Sequence, residues 1–280
     1  MILASLATAL GLSACVGEDD DFAVGRDTAT VWLISPTPFS DDDGQVQLDL
    51  VADAVDWPYR TPFEHTYMAG TRGPQGWNRR GYESPNGGGG ITISALDNTW
   101  HYGSDRFTED RRCRECTLIP FDEEEALRRS KEVFRDLDMD LDDYSFETYS
   151  LPGGGAPAVS IVTVASLLVD GNKTDITATV SHRNEDGHLG GGGGHFVTVS
   201  QLGAVPIFTP AEALTLAGRE ATPEAVAQTE LTLETQYDRS TNQRILIPVY
   251  SVPVTEDLAV DVTIAATRRQ DIPYPEPADD

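Results

Sequence analysis

The sequence predicts an α+β protein: antiparallel sheets with a few helices packed on one side. Three observations lead there. Short alternating or β-branched runs recur along most of the chain, clusters of Gly, Asp and Asn separate them, and only two segments carry clear helix-capping patterns. Charge narrows the partners. With 46 acidic against 20 basic residues the formal net charge is −26, and such a surface is repelled by phosphate backbones, which excludes a nucleic-acid partner.

Residues 1–14 are apolar or small and end at Cys15, after which Gly17, Glu18, Asp19, Asp20 and Asp21 follow. The run is shorter than the about 20 apolar residues that a spanning helix needs, and has the size of a secretory signal core. The stretch Leu12-Ser13-Ala14-Cys15 resembles the lipobox of bacterial lipoproteins. That resemblance implies cleavage before Cys15 and lipidation of its thiol, several acyl chains being needed for a stable anchor. No Lys or Arg precedes Cys15, so a short basic segment is expected upstream of Met1. Residues 15–27 read as an acidic tether.

Residues 30–34 form a first strand, stopped by Pro36 and Pro38. Val46, Leu48 and Leu50 alternate with polar residues, the period of a half-buried strand. Residues 56–90 are rich in Gly, Pro and Arg and read as irregular. Residues 91–94 and 100–102 flank Asp97-Asn98 as a hairpin.

The best helix follows. Asp122 and Glu125 have capping-box spacing, Glu123 and Glu124 suit the first turn, and Leu127, Ser130, Phe134 and Leu137 share one face. Strands are expected at 146–150, 158–168 and 176–180, with a turn at Asp170-Gly171-Asn172. The glycine-rich stretch 184–194 reads as a loop, leading to a strand at 196–200. Thr209-Pro210-Ala211-Glu212 starts a second helix, with a threonine cap, proline at N1 and glutamate at N3. Strands at 229–237, 245–252 and 258–266 follow, and the Pro-rich end, 272–280, is expected to be disordered.

The order of capped helix, strands, Gly-rich hairpin and the segment from Pro206 to Leu214 resembles a group of uncharacterised actinobacterial lipoproteins with PepSY-like modules. The resemblance implies location and architecture and carries no catalytic residues. The expected organisation is a signal (1–14), a tether (15–27), a β-rich region with Gly/Pro-rich loops (28–117), an α+β region (118–271) and a tail (272–280).

Candidate chemistry is sparse. Cys113 and Cys116 flank two residues in a connector, a setting that favours a small structural disulfide over a redox motif, and two thiolates are too few for zinc. Asp136, Asp138, Asp140 and Glu147 have EF-hand spacing, but Leu141 stands where the loop demands glycine, so a solvated helix end is the better reading. His182, His188 and His195 bracket a glycine run and are weak metal candidates. Trp32 and Trp100 are expected in the core, and Trp57 and Trp77 at a contact surface. No nucleophile elbow, metal-binding histidine helix or serine–lysine pair occurs. The expectation is therefore a non-enzymatic, lipid-anchored binding or modulatory protein on the outer side of the membrane, without cofactor, whose partner is an envelope protein. A small-ligand or metal-binding module, and a hydrolase with an unrecognised carboxylate pair, are the alternatives.

Overall fold

In the computed structural model of the protein, residues 27–36, 41–65, 79–85, 89–95, 98–104, 121–153, 156–183, 187–238, 243–255 and 258–274 are described. The segment around Val46 and Leu48 is a helix, α1 (Asp41–Ala54), not the expected strand. Three alternating apolar residues fit either period. Leu48, Val51, Ala52 and Val55 repeat at helical spacing and are all buried, whereas Val46 is exposed. Four antiparallel strands follow: β2 (Pro62–His65), β3 (Arg79–Glu83), β4 (Gly89–Ser94) and β5 (Thr99–Ser104).

The same order then recurs. Helix α2 (Glu123–Asp136) is capped by Asp122, whose carboxylate accepts from Glu125 N at 2.9 Å. It leads to β6 (Tyr144–Gly153), β7 (Ala156–Val169), β8 (Asn172–Arg183) and β9 (Leu189–His195). Between β7 and β8 both Asp170 (φ 51°) and Gly171 (φ 75°) are left-handed, as a two-residue hairpin turn requires. Strands β5 and β9 pair antiparallel, Thr99 opposite His195 and Gly103 opposite Gly191. The two meanders therefore fuse in the order β2-β3-β4-β5-β9-β8-β7-β6.

Both helices cover one face of this sheet and touch each other. Between helices and sheet pack Leu48 and Val51 of α1, Phe134 of α2, and Ile91, Ile93, Trp100 and Val180 of the strands. Burying one such large side chain contributes roughly 1.5–3 kcal/mol. A polar clasp adds direction: Tyr82 on β3 donates to Asp49 Oδ1 at 2.5 Å, and Gln45 Nε2 donates to the Tyr82 oxygen at 2.7 Å. Trp57, expected at a contact surface, is buried here, edge-on to Tyr102 at 5.8 Å. Trp100 is buried as expected, Trp32 is partly so, and Trp77 lies outside the described residues.

The glycine run is where the loop expectation fails most plainly. It is β9, an interior strand, and the reason is the indole of Trp100. A Cβ at Gly194 would sit 2.8 Å from Trp100 Nε1 and 2.9 Å from Ala178 Cβ, and one at Gly192 would come 3.3 Å from the same ring. A strand without side chains leaves the volume that the tryptophan fills.

The remaining strands are β1 (Thr28–Pro36), β10 (Val197–Pro206), β11 (Glu230–Asp238), β12 (Gln243–Thr255) and β13 (Leu258–Ala265), with β1 between β10 and β12. Helices α3 (Pro210–Leu216) and α4 (Pro223–Ala227) connect β10 to β11, the first with the full capping box of Thr209 and Glu212. Val31, Val205, Phe208, Ile245, Tyr250 and Ile272 form a second core. Ile272 thus belongs to packed structure, not to a disordered tail, while residues 275–280 lie outside the described residues.

One parallel contact, Leu233 opposite Thr174, joins the two groups of strands. There Asp175 on β8 accepts from Thr235 N at 3.0 Å and from Thr235 Oγ1 at 2.7 Å, so a carboxylate supplies the pairing that the short ladder lacks. The architecture corrects the expected class. Strand dominates, and among the described residues it forms one large mixed sheet of 13 strands with few helices, not α+β modules of PepSY type. Strand content exceeds the expectation because the glycines of β9 carry no strand-forming side chains and pairing between distant segments leaves no local mark.

Candidate functional site

The helices cover one face of the β6–β9 and β5 strands; the opposite, outer face carries a groove of about 520 Å³. Strand alternation determines which side chains reach it. On β8 Ala178, Val180 and His182 point to the core, so Thr177, Thr179 and Ser181 point outward. The neighbouring outward positions are Ser160 and Val162 on β7, Tyr149 and Leu151 on β6, and Thr99 and His101 on β5. Gly191 and Gly193 lie between them, and His195 closes one end.

The chemistry of this surface is uniform. None of its described lining residues is Asp, Glu, Lys or Arg, in a chain whose net charge is −26. Charge borders it on both sides: Lys173 pairs with Glu147 beyond one end, and Arg183 stands opposite Ser160 at the other. Ser181 Oγ donates to Gly191 O at 3.2 Å. The hydroxyls of Tyr149, Ser160 and Thr177 have no hydrogen-bond partner among the described residues. Tyr149 and Leu151 are each 44% exposed, two large apolar surfaces at one wall of a hydroxyl-lined floor.

On the opposite side of the same strands lies a buried serine–histidine pair. Ser130 of α2 and Nε2 of His182 are 3.1 Å apart, and His182 Nδ1 faces Gly187 O at 3.3 Å. Burial, aided by the Arg129 and His188 charges, lowers the His182 pKa to about 4, against the opposing pull of the Gly187 carbonyl. The ring is therefore neutral: Nδ1–H donates to Gly187 O, and Nε2 accepts from the Ser130 hydroxyl. Gly187 is left-handed (φ 65°), and its Cβ would stand 2.4 Å from the Phe121 ring, so glycine is required there. Phe121 in turn lies 5.3 Å from the imidazole and beneath the Arg129 guanidinium.

This hydrogen bond has the form of a nucleophile and its base. Access decides its role. Ser130 is wholly buried and His182 is 2% exposed, so the pair fastens α2 to β8 and presents no oxygen to a substrate.

Cys15, Cys113 and Cys116 lie outside the described residues. His182 is committed to the core while His195 stands at the groove, so the three histidines do not share one site, and no metal-binding group of His, Cys, Asp or Glu occurs among the described residues. Asp140 caps a 3-10 turn at Leu141–Asp143 and Glu147 pairs with Lys173, so the EF-hand spacing is not gathered into a loop. No Asp or Glu among the described residues is buried as a whole side chain, although Asp271 Oδ2 is shielded from solvent; Glu234, half-buried beside Asp175, has its pKa raised mainly by desolvation. Of the groove residues the sequence singles out only His195, and it marks Ser130 as a member of the helix's apolar face without giving its partner. A signal for the rest was present in the three hydroxyls on the outward phase of β8.

No protein-family model matches the chain, and no curated protein matches it significantly. Among solved structures, it is similar to an uncharacterised protein from Eubacterium rectale ATCC 33656, known from a crystal structure. The two are 10% identical, the match covers 85% of this chain and 82% of that one, and the TM-score is 0.52. The likeness concerns the fold alone.

Proposed function

We propose that the chain is a non-enzymatic binding protein of the cell envelope, anchored through Cys15, that holds its partner in the outer-face groove. One observation carries the reading: an uncharged, hydroxyl-lined groove with exposed Tyr149 and Leu151 on an otherwise acidic protein. Concave sites with a few unpaired polar groups and an aromatic anchor are where ligands and partners bind. The anchor rests on the sequence around Cys15 and on the acidic run that follows it. The serine–histidine pair seen among the described residues is sealed in the core and does not support catalysis there.

The test is a photocrosslinker at position 149 of the full chain in intact cells, with a Cys15→Ser form in parallel. A discrete crosslink that weakens when the anchor is lost supports the reading. Absence of any crosslink from a membrane-bound chain contradicts it.

A further inference from the structure

We infer that the chain pairs with a second copy of itself through the free edge of β6, the two α2 helices lying side by side across a twofold axis. The inference stands independently of what the groove binds. Among the described residues β6 pairs with β7 alone, so one row of its backbone N–H and C=O groups is open to a further strand. Free edges are ordinarily blunted by short strands or by charge. At the other end of the same eight strands β2 spans four residues. By contrast β6 spans ten, and its one charged residue, Glu147, is neutralised by Lys173. Tyr149 and Leu151, two of the large apolar side chains left exposed, stand on this strand.

The helix above the edge says what covers it. Helix α2 runs antiparallel to β6: Ser150 Oγ donates to Glu123 Oε1 at 3.0 Å near one end, and Lys131 Nζ lies 4.6 Å over the Phe146 ring near the other. Ser130 reaches His182 on β8, so the stripe Glu123, Leu127 and Lys131, spaced i, i+4, i+8, borders the β6 side. Leu127 is half-buried there. This stripe is its own complement. Turned about a twofold axis beside Leu127 and Thr148, Glu123 of one copy meets Lys131 of the other, and leucine meets leucine. A basic partner, which the net charge of −26 would attract, meets Lys131 at this edge; one acid and one base select their own inverse.

The same axis sets β6 antiparallel to its copy, with Thr148 opposite Thr148, Phe146 opposite Ser150 and Glu147 opposite Tyr149. No two carboxylates then face each other directly, and the two Tyr149 rings become diagonal neighbours within reach of one another. Pro152, which has no N–H, falls at the end of the shared ladder. Spacing agrees as well. Helix α2 packs on β6 and β7, and strands lie about 4.8 Å apart, so the two helices would stand about 10 Å apart, the separation of packed helices. The two outer-face grooves then lie on one continuous sheet.

Sedimentation equilibrium of the full chain tests the inference, with Cys15→Ser in place to keep lipid out of the measurement. The expected result is a dimer with a dissociation constant at or below about 100 μM. Lys131→Glu weakens it about tenfold or more, as does Leu127→Lys, which brings two cations to the axis. The exchanged form, Glu123→Lys with Lys131→Glu, regains the dimer because the charges meet again across the axis. Melting curves verify the fold of each variant. A chain that stays monomeric at that concentration, a dimer that both single variants leave intact, or an exchanged form as weak as Lys131→Glu overturns the inference. Position 149 separates it from the groove's partner. A monomeric chain that still crosslinks another protein there overturns the dimer and leaves the binding reading standing. A dimer that crosslinks only to itself supports the pairing and overturns the partner.

Discussion

On its inner side β9 is packed by Trp100, and a single added methyl at Gly194 meets the indole nitrogen at 2.8 Å. On its outer side the same strand is uneven: a methyl at Gly191 meets the Tyr102 carbonyl at 3.3 Å and the Ser181 hydroxyl at 3.4 Å, whereas one at Gly193 would stand 2.9 Å from His101 Nδ1. One run of glycines thus serves two surfaces. The inner surface is filled, apolar and latched by one buried polar pair; the outer is open, polar and without charge. Glycine is tolerated inside because the Trp100 ring replaces the missing side chains, and outside because the His101 ring covers Gly193 while Gly191 is left more open. The difference separates the part of the molecule that holds the fold from the part free to bind.

The contrast breaks most visibly where the inner side is hollowed. Phe134, fully buried on the inner side of α2, faces Phe146 at 6.0 Å, and Phe134→Ala is expected to cost roughly 3–5 kcal/mol in denaturant unfolding. A loss below about 1 kcal/mol would mean the helix-covered face is loosely packed.

Acid probes the latch. His182 titrates near 4 in the fold against 6.5 ordinarily, so between those values the unfolded chain takes up a proton that the folded chain refuses. Its contribution is complete above about pH 6.5 and is lost as pH falls toward 4, a slope worth roughly 3 kcal/mol in all. His182→Gln should flatten that part of the stability–pH curve; an unchanged slope assigns it to other groups. Ser130→Ala leaves Nε2 without a donor and is expected to cost roughly 1–3 kcal/mol. The smallest effect belongs to the outer face: Tyr149→Ala should change stability by no more than about 0.5 kcal/mol in thermal unfolding.

Local chemistry made parts of this structure legible. Asp122 with Glu125, and Thr209 with Glu212, marked two helix starts that the hydrogen bonds reproduce. The hairpin at residues 91–102 and the tail strands were visible in their alternation. What stayed hidden was non-local. Val46, Leu48 and Leu50 fit two periods, and only burial chooses between them. Glycines 190–194 lack the side chains that announce a strand, and their role depends on Trp100, distant in sequence. The candidate site was hidden for the same reason, since Tyr149, Ser160 and Thr177 become one surface only after β6, β7 and β8 pair.

The most direct measurement is a matched pair of single-methyl substitutions on β9, Gly191→Ala and Gly194→Ala, each assayed for melting temperature and for crosslinking from position 149. The account predicts that Gly194→Ala loses stability, by roughly 1–3 kcal/mol of overpacking, while Gly191→Ala melts close to the parent and loses the crosslink. Equal melting losses in the two, or a Gly191→Ala form that crosslinks as well as the parent, would contradict the division between a structural face and a binding face.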